Sequence, residues 1–151
     1  MRVFDTMAQM KSCVGQEIAV SDWLEMTQDR VNVFADATGD HQWIHIDPER
    51  AKNGPFGAPI AHGFLTLSLI PYFFEKALST PSVKMGVNYG LNRVRFMAPV
   101  KVGAKIRARI KLLSWEDLPN NGAQVVSEVS IEIEGSDKPA CVAETIARRY
   151  E

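Results

Sequence analysis

The chain has 151 residues, a length typical of one domain that buries a core of its own. Apolar residues make up 46% and charged residues 23% of the sequence, a balance typical of globular proteins that fold in water. The formal net charge of -1 excludes a general positive field that would attract nucleic acid or an anionic membrane. We therefore predict a single domain over residues 1–151 that binds neither nucleic acid nor membrane.

The opening residues, the longest apolar stretch and the cysteine count indicate the cellular compartment. The opening residues, MRVFDTMAQMKSCVGQE, lack the apolar stretch of a secretory signal peptide. The longest apolar stretch, FLTLSLIPYFF, is too short to span a bilayer and contains a proline. Cys13 and Cys141 are too few for a disulfide framework, although one bridge between them stays open. These features predict a cytoplasmic protein.

The first half of the chain carries helix signals. In TQDRVNVFADATG, Thr27 is suited to begin a helix and Gly39 to end it. Asp47-Pro48-Glu49 has the order of a helix start, with an aspartate cap and a proline in the first turn. NGPFGAP, residues 53–59, must end that second helix early.

A longer helix is predicted from about residue 62 or 63 to about residue 78. It is apolar almost all round, which indicates a helix enclosed by the rest of the fold. Pro71 is expected to kink it or to divide it in two.

The second half alternates with the period of strands that have one buried face. In AKIRARIKLL, cations occupy every second position, and in VSEVSIEIEG carboxylates do so. We expect these two rows to pair across neighbouring strands, joined by a turn at LPNNGAQ. Further strands are expected at about 87–97 and 139–149. The pattern predicts an α+β fold in which an antiparallel β-sheet curls around the long central helix. A second copy of the chain would cover the edges that such a sheet leaves open.

All three histidines lie within 22 consecutive residues. Asp40 and His45 are predicted in the connection between two helices, where a carboxylate and an imidazole can divide acid and base work. Trp43 and Ile44 could supply an apolar wall beside them. Asp47 is interpreted as a helix cap, and His41 is expected to point elsewhere. A metal site ranks third, behind catalytic and structural roles, since the spacing matches no familiar zinc pattern.

Gly63, in the sequence AHGF, begins the long helix. Backbone N–H groups have no intrahelical acceptor there, and a glycine lets a ligand approach the backbone closely. Such an N–H could hold a carbonyl oxygen that gains negative charge. Close packing of helix on sheet is the equally weighted alternative.

These residues resemble a known family. FADATGDHQWIHIDPERA, followed by GPFGAPIAHGFLTLSLIP, is similar to the MaoC-like dehydratases, the (R)-specific enoyl-CoA hydratases (hydratase 2) of the hot-dog fold. Gly39, Asp40, His45 and Asp47 match the family motif. Gln42-Trp43 replaces the usual Asn-Pro, which resembles the nodulation-protein-N-like subgroup. NYGLNRVRFMAPVKVG is similar to the family's strand and Pro-Val-x-x-Gly turn.

The resemblance implies a homodimeric hot-dog protein that hydrates trans-2-enoyl-CoA reversibly to (R)-3-hydroxyacyl-CoA. It implies Asp40 and His45 as the catalytic dyad and the Gly63 N–H as part of the oxyanion hole. It implies no metal and no cofactor, because coenzyme A is part of the substrate. Which member of the dyad is acid and which is base stays open.

Further residues are candidates for contacts with the substrate. Trp43 either shapes the acyl pocket or packs in the core, and His62 lies beside the oxyanion-hole glycine. Asn88 and Asn92 either reach the site or serve the strand, and Arg93, with Arg95, could meet the phosphates of coenzyme A. Two other functions compete with hydration: thioester hydrolysis, and acyl binding without catalysis. The sequence leaves acyl chain length and pathway open.

Overall fold

The structure, a computed structural model, describes all 151 residues. The helices are α1 (Met7–Lys11), α2 (Gln28–Thr38), α3 (Trp43–Ile46), α4 (Pro48–Lys52), α5 (Gly63–Ser68) and α6 (Ile70–Ala77). The strands are β1 (Arg2–Val3), β2 (Glu17–Val20), β3 (Leu24–Glu25), β4 (Leu78–Ser79), β5 (Met85–Phe96), β6 (Lys105–Leu118), β7 (Gly122–Ile133) and β8 (Cys141–Tyr150).

The main sheet has six strands, in the order β2-β6-β7-β8-β5, with β3 also pairing with β6. Every neighbouring pair in it is antiparallel. A short parallel pair, β1 with β4, ties the amino terminus to the end of α6. The predicted fold class, an antiparallel sheet with a central helix, is therefore confirmed. None of the helices is long and apolar enough to cross a membrane.

The alternating pattern of the second half places its apolar rows in the core. Ile106, Ala108, Ile110 and Leu112 of β6 are fully buried, as are Val129 and Ile131 of β7. The turn falls at residues 119–121, where Asn120 and Asn121 adopt positive φ, a conformation that asparagine tolerates better than most residues.

The predicted pairing of charges on the outer face is also confirmed. Arg107 and Arg109 both donate to the Glu132 carboxylate, each at 2.7 Å, and Glu17 accepts from Arg109 on the other side. Burial acts to raise the pKa of Glu132, but the hydrogen bonds from the two arginines lower it overall. Because Glu132 keeps 29% of its side chain exposed, solvent screens part of this attraction.

The long helix is divided, as Pro71 indicated: α5 and α6 meet at Leu69 and together span residues 63–77. The expectation of a helix enclosed on all sides is wrong for one face. Phe64 is 69% exposed, and Ser68, Pro71 and Glu75 are exposed along the same face. The sheet of one chain curls around only one side of the helix, so this face stays open.

Candidate active site

The predicted helix caps position the Asp40–His45 segment. Thr27 accepts from the Arg30 N–H at the start of α2, and Gly39 ends that helix with a φ of 80°. Asp47 accepts from the Arg50 N–H and begins α4. One detail of the prediction is wrong: Asp40 lies in a connection, but His45 lies on the helical turn α3. α3 has only four residues, and a single turn is too short to show a helical period in the sequence.

His45 is held through a backbone carbonyl. Its side chain is only 6% exposed, and Nδ1 lies 2.6 Å from the carbonyl oxygen of Ile60. Since a carbonyl can only accept, Nδ1 carries the proton and Nε2 carries the lone pair in the neutral ring. Nε2 has no hydrogen-bond partner and keeps contact with solvent. His45 therefore carries a proton-accepting nitrogen that no group of the chain uses.

Burial also sets the charge of His45. Desolvation lowers its pKa, and the nearby His62 lowers it further, against the opposing effects of the Ile60 hydrogen bond and the Asp40 carboxylate. The ring is therefore held in the neutral form, which a general base requires, over a wider pH range than in a free histidine.

Asp40 brings a carboxylate to the same place. Its side chain is 53% exposed, and Oδ1 accepts a long hydrogen bond from the Gln42 N–H at 3.3 Å. One side-chain oxygen or nitrogen atom from each of Asp40, His45 and His62 lies within 4.8 Å of the others. The structure thus brings the two predicted dyad members together and adds His62. Such spacing can also suit a cation, but one nitrogen of each histidine faces a backbone carbonyl.

His41, by contrast, points away from this cluster, as expected. Its Nε2 lies 2.8 Å from a carboxylate oxygen of Asp36, and both side chains are well exposed. The hydrogen bond to Asp36 raises the pKa of His41. The chain therefore contains a second, exposed Asp–His pair outside the site.

Gly63 lies at the start of α5, and its N–H has no acceptor within the chain. The ring of Phe96 covers its α-carbon, because a Cβ added to Gly63 would meet three Phe96 ring atoms at 3.2–3.3 Å. Both residues line a cavity of about 260 Å³ that also touches Ile60 and Thr66. Gly63 thus both allows the close packing of Phe96 and leaves its N–H free to donate to a ligand.

Trp43 and Asn92, two other candidate residues, contact groups outside the Asp40–His45 pair. Arg50 stacks on Trp43 at 4.3 Å from the ring centroid, and Gly54 leaves no room for a Cβ against the indole. Asn92 donates to Glu144 at 2.8 Å, and Arg93 is exposed on β5. None of these contacts tests a role in substrate binding, which stays a prediction for all three.

Asn88 lines a second cavity, of about 740 Å³, between the central helix and the sheet. Leu67 and Ser68, one turn beyond Gly63, form part of its wall. Its floor is built from small side chains on β5, β7 and β8, such as Gly86, Ser127 and Ala147. Small residues opposite a helix leave the space open.

Sequence reasoning missed two supports of the site. The Ile60 carbonyl binds the His45 ring while the Ile60 N–H donates to Ile44. Gln28 donates through its side chain to the His45 carbonyl at 2.8 Å. The first support is a backbone group that no residue type signals. The second could have been sought, because Gln28 begins the helix that leads to Asp40.

The fold and the sequence together assign the chain to a protein family. Residues 9–133 match the family model of the MaoC-like domain, and the chain belongs to that family of hot-dog proteins. Among its curated relatives, the 3-hydroxyacyl-thioester dehydratase Z of Mycobacterium tuberculosis is 53% identical over 148 residues, 98% of each chain. Nodulation protein N of Rhizobium leguminosarum is 44% identical over 143 residues, 93% of this chain and 89% of the other.

Solved structures of related proteins have a similar fold. The unliganded R-hydratase PhaJ1 of Pseudomonas aeruginosa superposes with a TM-score of 0.69 at 26% identity, covering 91% of this chain and 82% of the other. A monoamine oxidase regulatory protein from Archaeoglobus reaches a TM-score of 0.78 at 24% identity, covering 99% and 97% of the two chains. The second likeness shows the fold. The predicted family, including the resemblance to nodulation protein N, is confirmed.

Proposed function

We propose that the protein is an (R)-specific enoyl-CoA hydratase that adds water reversibly to a trans-2-enoyl-CoA to give the (R)-3-hydroxyacyl-CoA. The observation that carries this proposal is the buried His45, fixed in the Nδ1–H form by Ile60, beside the exposed carboxylate of Asp40. The relatives named as a dehydratase and an R-hydratase support the same reaction type. No cofactor is needed in this proposal, because the protons come from water and the acid–base pair.

The proposed mechanism uses both groups on one water molecule. Nε2 of His45, or the Asp40 carboxylate, takes a proton from water as its oxygen attacks the β-carbon. A proton is delivered to the α-carbon, so that water is added across the double bond. Since the two groups lie within 4.8 Å, both can reach the same water molecule, and we assign the acid and base roles to the pair.

The thioester oxygen gains negative charge in this reaction. We place it at the Gly63 N–H, which has no other acceptor and lies beside an apolar cavity. An N–H donor that is already unpaired beside the thioester oxygen stabilises the developing charge without reorganisation of the protein. The larger cavity, reached one helical turn further on, offers apolar room for the acyl chain beside Leu67 and Phe74.

The proposed assembly is a homodimer formed along β5. That strand pairs with β8 on one side only, and it exposes Met85, Val87, Tyr89 and Leu91. An unpaired edge with exposed apolar side chains indicates a surface that another strand covers. The open face of the central helix supports a partner on the same side.

Hydration of crotonyl-CoA, followed by loss of the enoyl-thioester absorbance, tests the proposal. The wild type is expected to hydrate, and Asp40→Asn and His45→Gln are each expected to lose about 10²–10⁴-fold in rate. The exposed pair supplies matched controls: Asp36→Asn and His41→Gln make the same chemical changes outside the site and should keep wild-type activity.

Wild-type inactivity on short and longer enoyl-CoA substrates would contradict the hydratase proposal. Release of free thiol from a saturated acyl-CoA would then identify thioester hydrolysis, because a hydratase requires the double bond. Tight acyl-CoA binding without turnover would identify a binding protein.

A further inference from the structure

His62 contacts both members of the dyad. Its imidazole stacks on that of His45, with ring centroids 3.8 Å apart and an interplanar angle of 24°. Its Nε2 lies 3.0 Å from the backbone carbonyl oxygen of Asp40. It also lies at 4.0 Å from the Asp40 carboxylate. No other side chain described above joins Asp40 to His45 in this way.

The hydrogen bond to Asp40 assigns the tautomer of His62. Because the carbonyl oxygen only accepts, Nε2 carries the proton in the neutral ring, and Nδ1 carries the lone pair. His45 has the opposite tautomer, fixed by Ile60. The two stacked rings therefore present different nitrogens as donors, each to a backbone carbonyl.

His62 is not placed to bind a substrate. Its side chain is 3% exposed, and Nδ1 is buried without any partner. Its polar and aromatic side-chain contacts are the carbonyl that it binds and the ring on which it stacks, together with the Asp40 carboxylate at 4.0 Å and the tilted Phe34 ring at 4.9 Å.

Simple filling of the core explains this residue poorly. A phenylalanine would fill the space between Phe34 and His45 without burying a lone pair that lacks a donor, and such an orphan costs stability. The imidazole adds two things that a phenylalanine lacks: the Nε2–H that holds the Asp40 main chain, and a polar ring behind His45.

We propose that His62 is a positioning residue, whose Nε2–H fixes the Asp40 backbone and whose ring fixes the plane of His45, so that the dyad is arranged before substrate arrives. This inference rests on the proposed function for its catalytic meaning, but its geometry can be tested without activity. It replaces the sequence-based suggestion that His62 contacts substrate.

The chain has only three histidines, so the imidazole nitrogens can be assigned by NMR with one variant for each ring. Long-range proton–nitrogen spectra are expected to show His45 as the Nδ1–H tautomer and His62 as the Nε2–H tautomer. A titration should show His45 losing its proton at lower pH than the exposed His41, whose pKa is raised by Asp36. The Nδ1–H tautomer in His62 would overturn the proposal whether or not the protein is a hydratase.

Two substitutions test the Nε2–H donor and the ring of His62 separately in the hydration assay. His62→Phe keeps a ring against His45 but removes the donor to Asp40, and it should lower kcat by about 10²-fold with KM nearly unchanged. His62→Gln keeps an N–H donor but removes the ring. This variant should retain more of kcat. Because water then reaches His45, its pKa should rise, and the acidic limb of the pH profile should shift to higher pH. The titratable groups that face His45 are His62 itself and Asp40.

The outcomes are distinct. Wild-type kcat and pH profile in both variants would overturn the positioning role. A raised KM at unchanged kcat would also overturn it, because His62 would then bind substrate. If the wild type itself is inactive, the hydratase proposal fails, and the tautomer measurement still decides whether His62 holds Asp40 and His45.

Discussion

The Nδ1 atom of His45 lies 2.6 Å from the carbonyl oxygen of Ile60, and this contact determines which nitrogen is free for chemistry. Ile60 is itself fixed by a bridge to Lys101. Its N–H donates to Ile44. The orientation of His45 therefore depends on a backbone segment that is held from both sides.

The first prediction concerns pH. The free imidazole has a pKa near 6.5, and burial lowers that of His45, so the neutral imidazole that the proposed mechanism uses persists as the pH falls below 6.5 and is lost when the pH passes the lowered pKa. The rate of crotonyl-CoA hydration should therefore hold through pH 6.5 and decline only below it. A decline centred above pH 6.5 would contradict this prediction. His41→Gln should leave the profile unmoved.

The same lowered pKa affects stability. A buried neutral histidine stabilises the fold fully above its unfolded pKa, and the contribution is lost as the pH falls through the folded pKa. Urea unfolding of wild type and His45→Gln is therefore expected to show a stability difference that changes with pH only in the window below pH 6.5. A stability difference that stays constant from about 1.5 pH units above the free pKa of about 6.5 to about 1.5 units below it would contradict the buried neutral ring.

Gly63 offers a test of the N–H itself. His62, the preceding residue, has φ -58° and ψ 139°, which suits a residue before proline, and proline is well tolerated in the first turn of a helix. Gly63→Pro and Gly63→Ala should both press on Phe96, but only proline removes the N–H. We expect the proline variant to be about 10²–10³-fold less active than the alanine variant.

Thermal unfolding of the two Gly63 variants supplies the control for that comparison. Similar melting temperatures would assign the difference in rate to the missing donor. Equal activities in two folded variants would show that the N–H does not hold the thioester oxygen, and that Gly63 serves the packing of helix on sheet.

The β5 edge can be tested by charge. Met85→Lys places an ammonium on the exposed apolar edge, outside the large cavity, and should shift the protein to a monomer in sedimentation, with loss of hydration because the open helix face is uncovered. Val33→Lys is the matched control, since Val33 is also exposed but lies on α2. A wild type that sediments as a monomer would refute the dimer, and a Met85→Lys dimer would place the interface elsewhere.

Glu132 provides a prediction about stability alone. Glu132→Gln loses the charge that Arg107 and Arg109 share, and it should destabilise the protein by about 1 kcal/mol near neutral pH. Because the pKa of Glu132 is lowered, this difference should be complete above pH 4.5 and should vanish as the pH falls further. Asp117→Asn, at an exposed ion pair with Lys11, should change stability little, and both variants should keep their activity. A difference between wild type and Glu132→Gln that is equal at all pH values would contradict the charge-based explanation.

Several elements could be predicted because local signals agree with the fold. The alternation in β6 and β7 places one row in the core and one in solvent, and the ion pairs of Glu132 follow from that register. The caps at Thr27, Gly39 and Asp47 set the limits of helices on both sides of the site. Asp40 and His45 were brought together as predicted.

Other elements could not be predicted because their signals are weak or nonlocal. β2 and β3 have four and two residues, too short for a period to emerge. The tautomer of His45 depends on a backbone oxygen fifteen residues away, and residue type does not report on backbone atoms. The stacking of His62 on His45 needs a chain reversal between them, which only the folded structure provides.

The hydrogen bonds that hold Asp40, His45 and His62 lie in a short window of the chain. Gln28, Asp40, His45, Ile60 and His62 make their mutual contacts within residues 28–62, and none of these five residues lies on a strand. Loops of that length close quickly and at low entropic cost. About a quarter of the chain thus makes these contacts, and the bridge from Ile60 to Lys101 joins them to the rest of the fold.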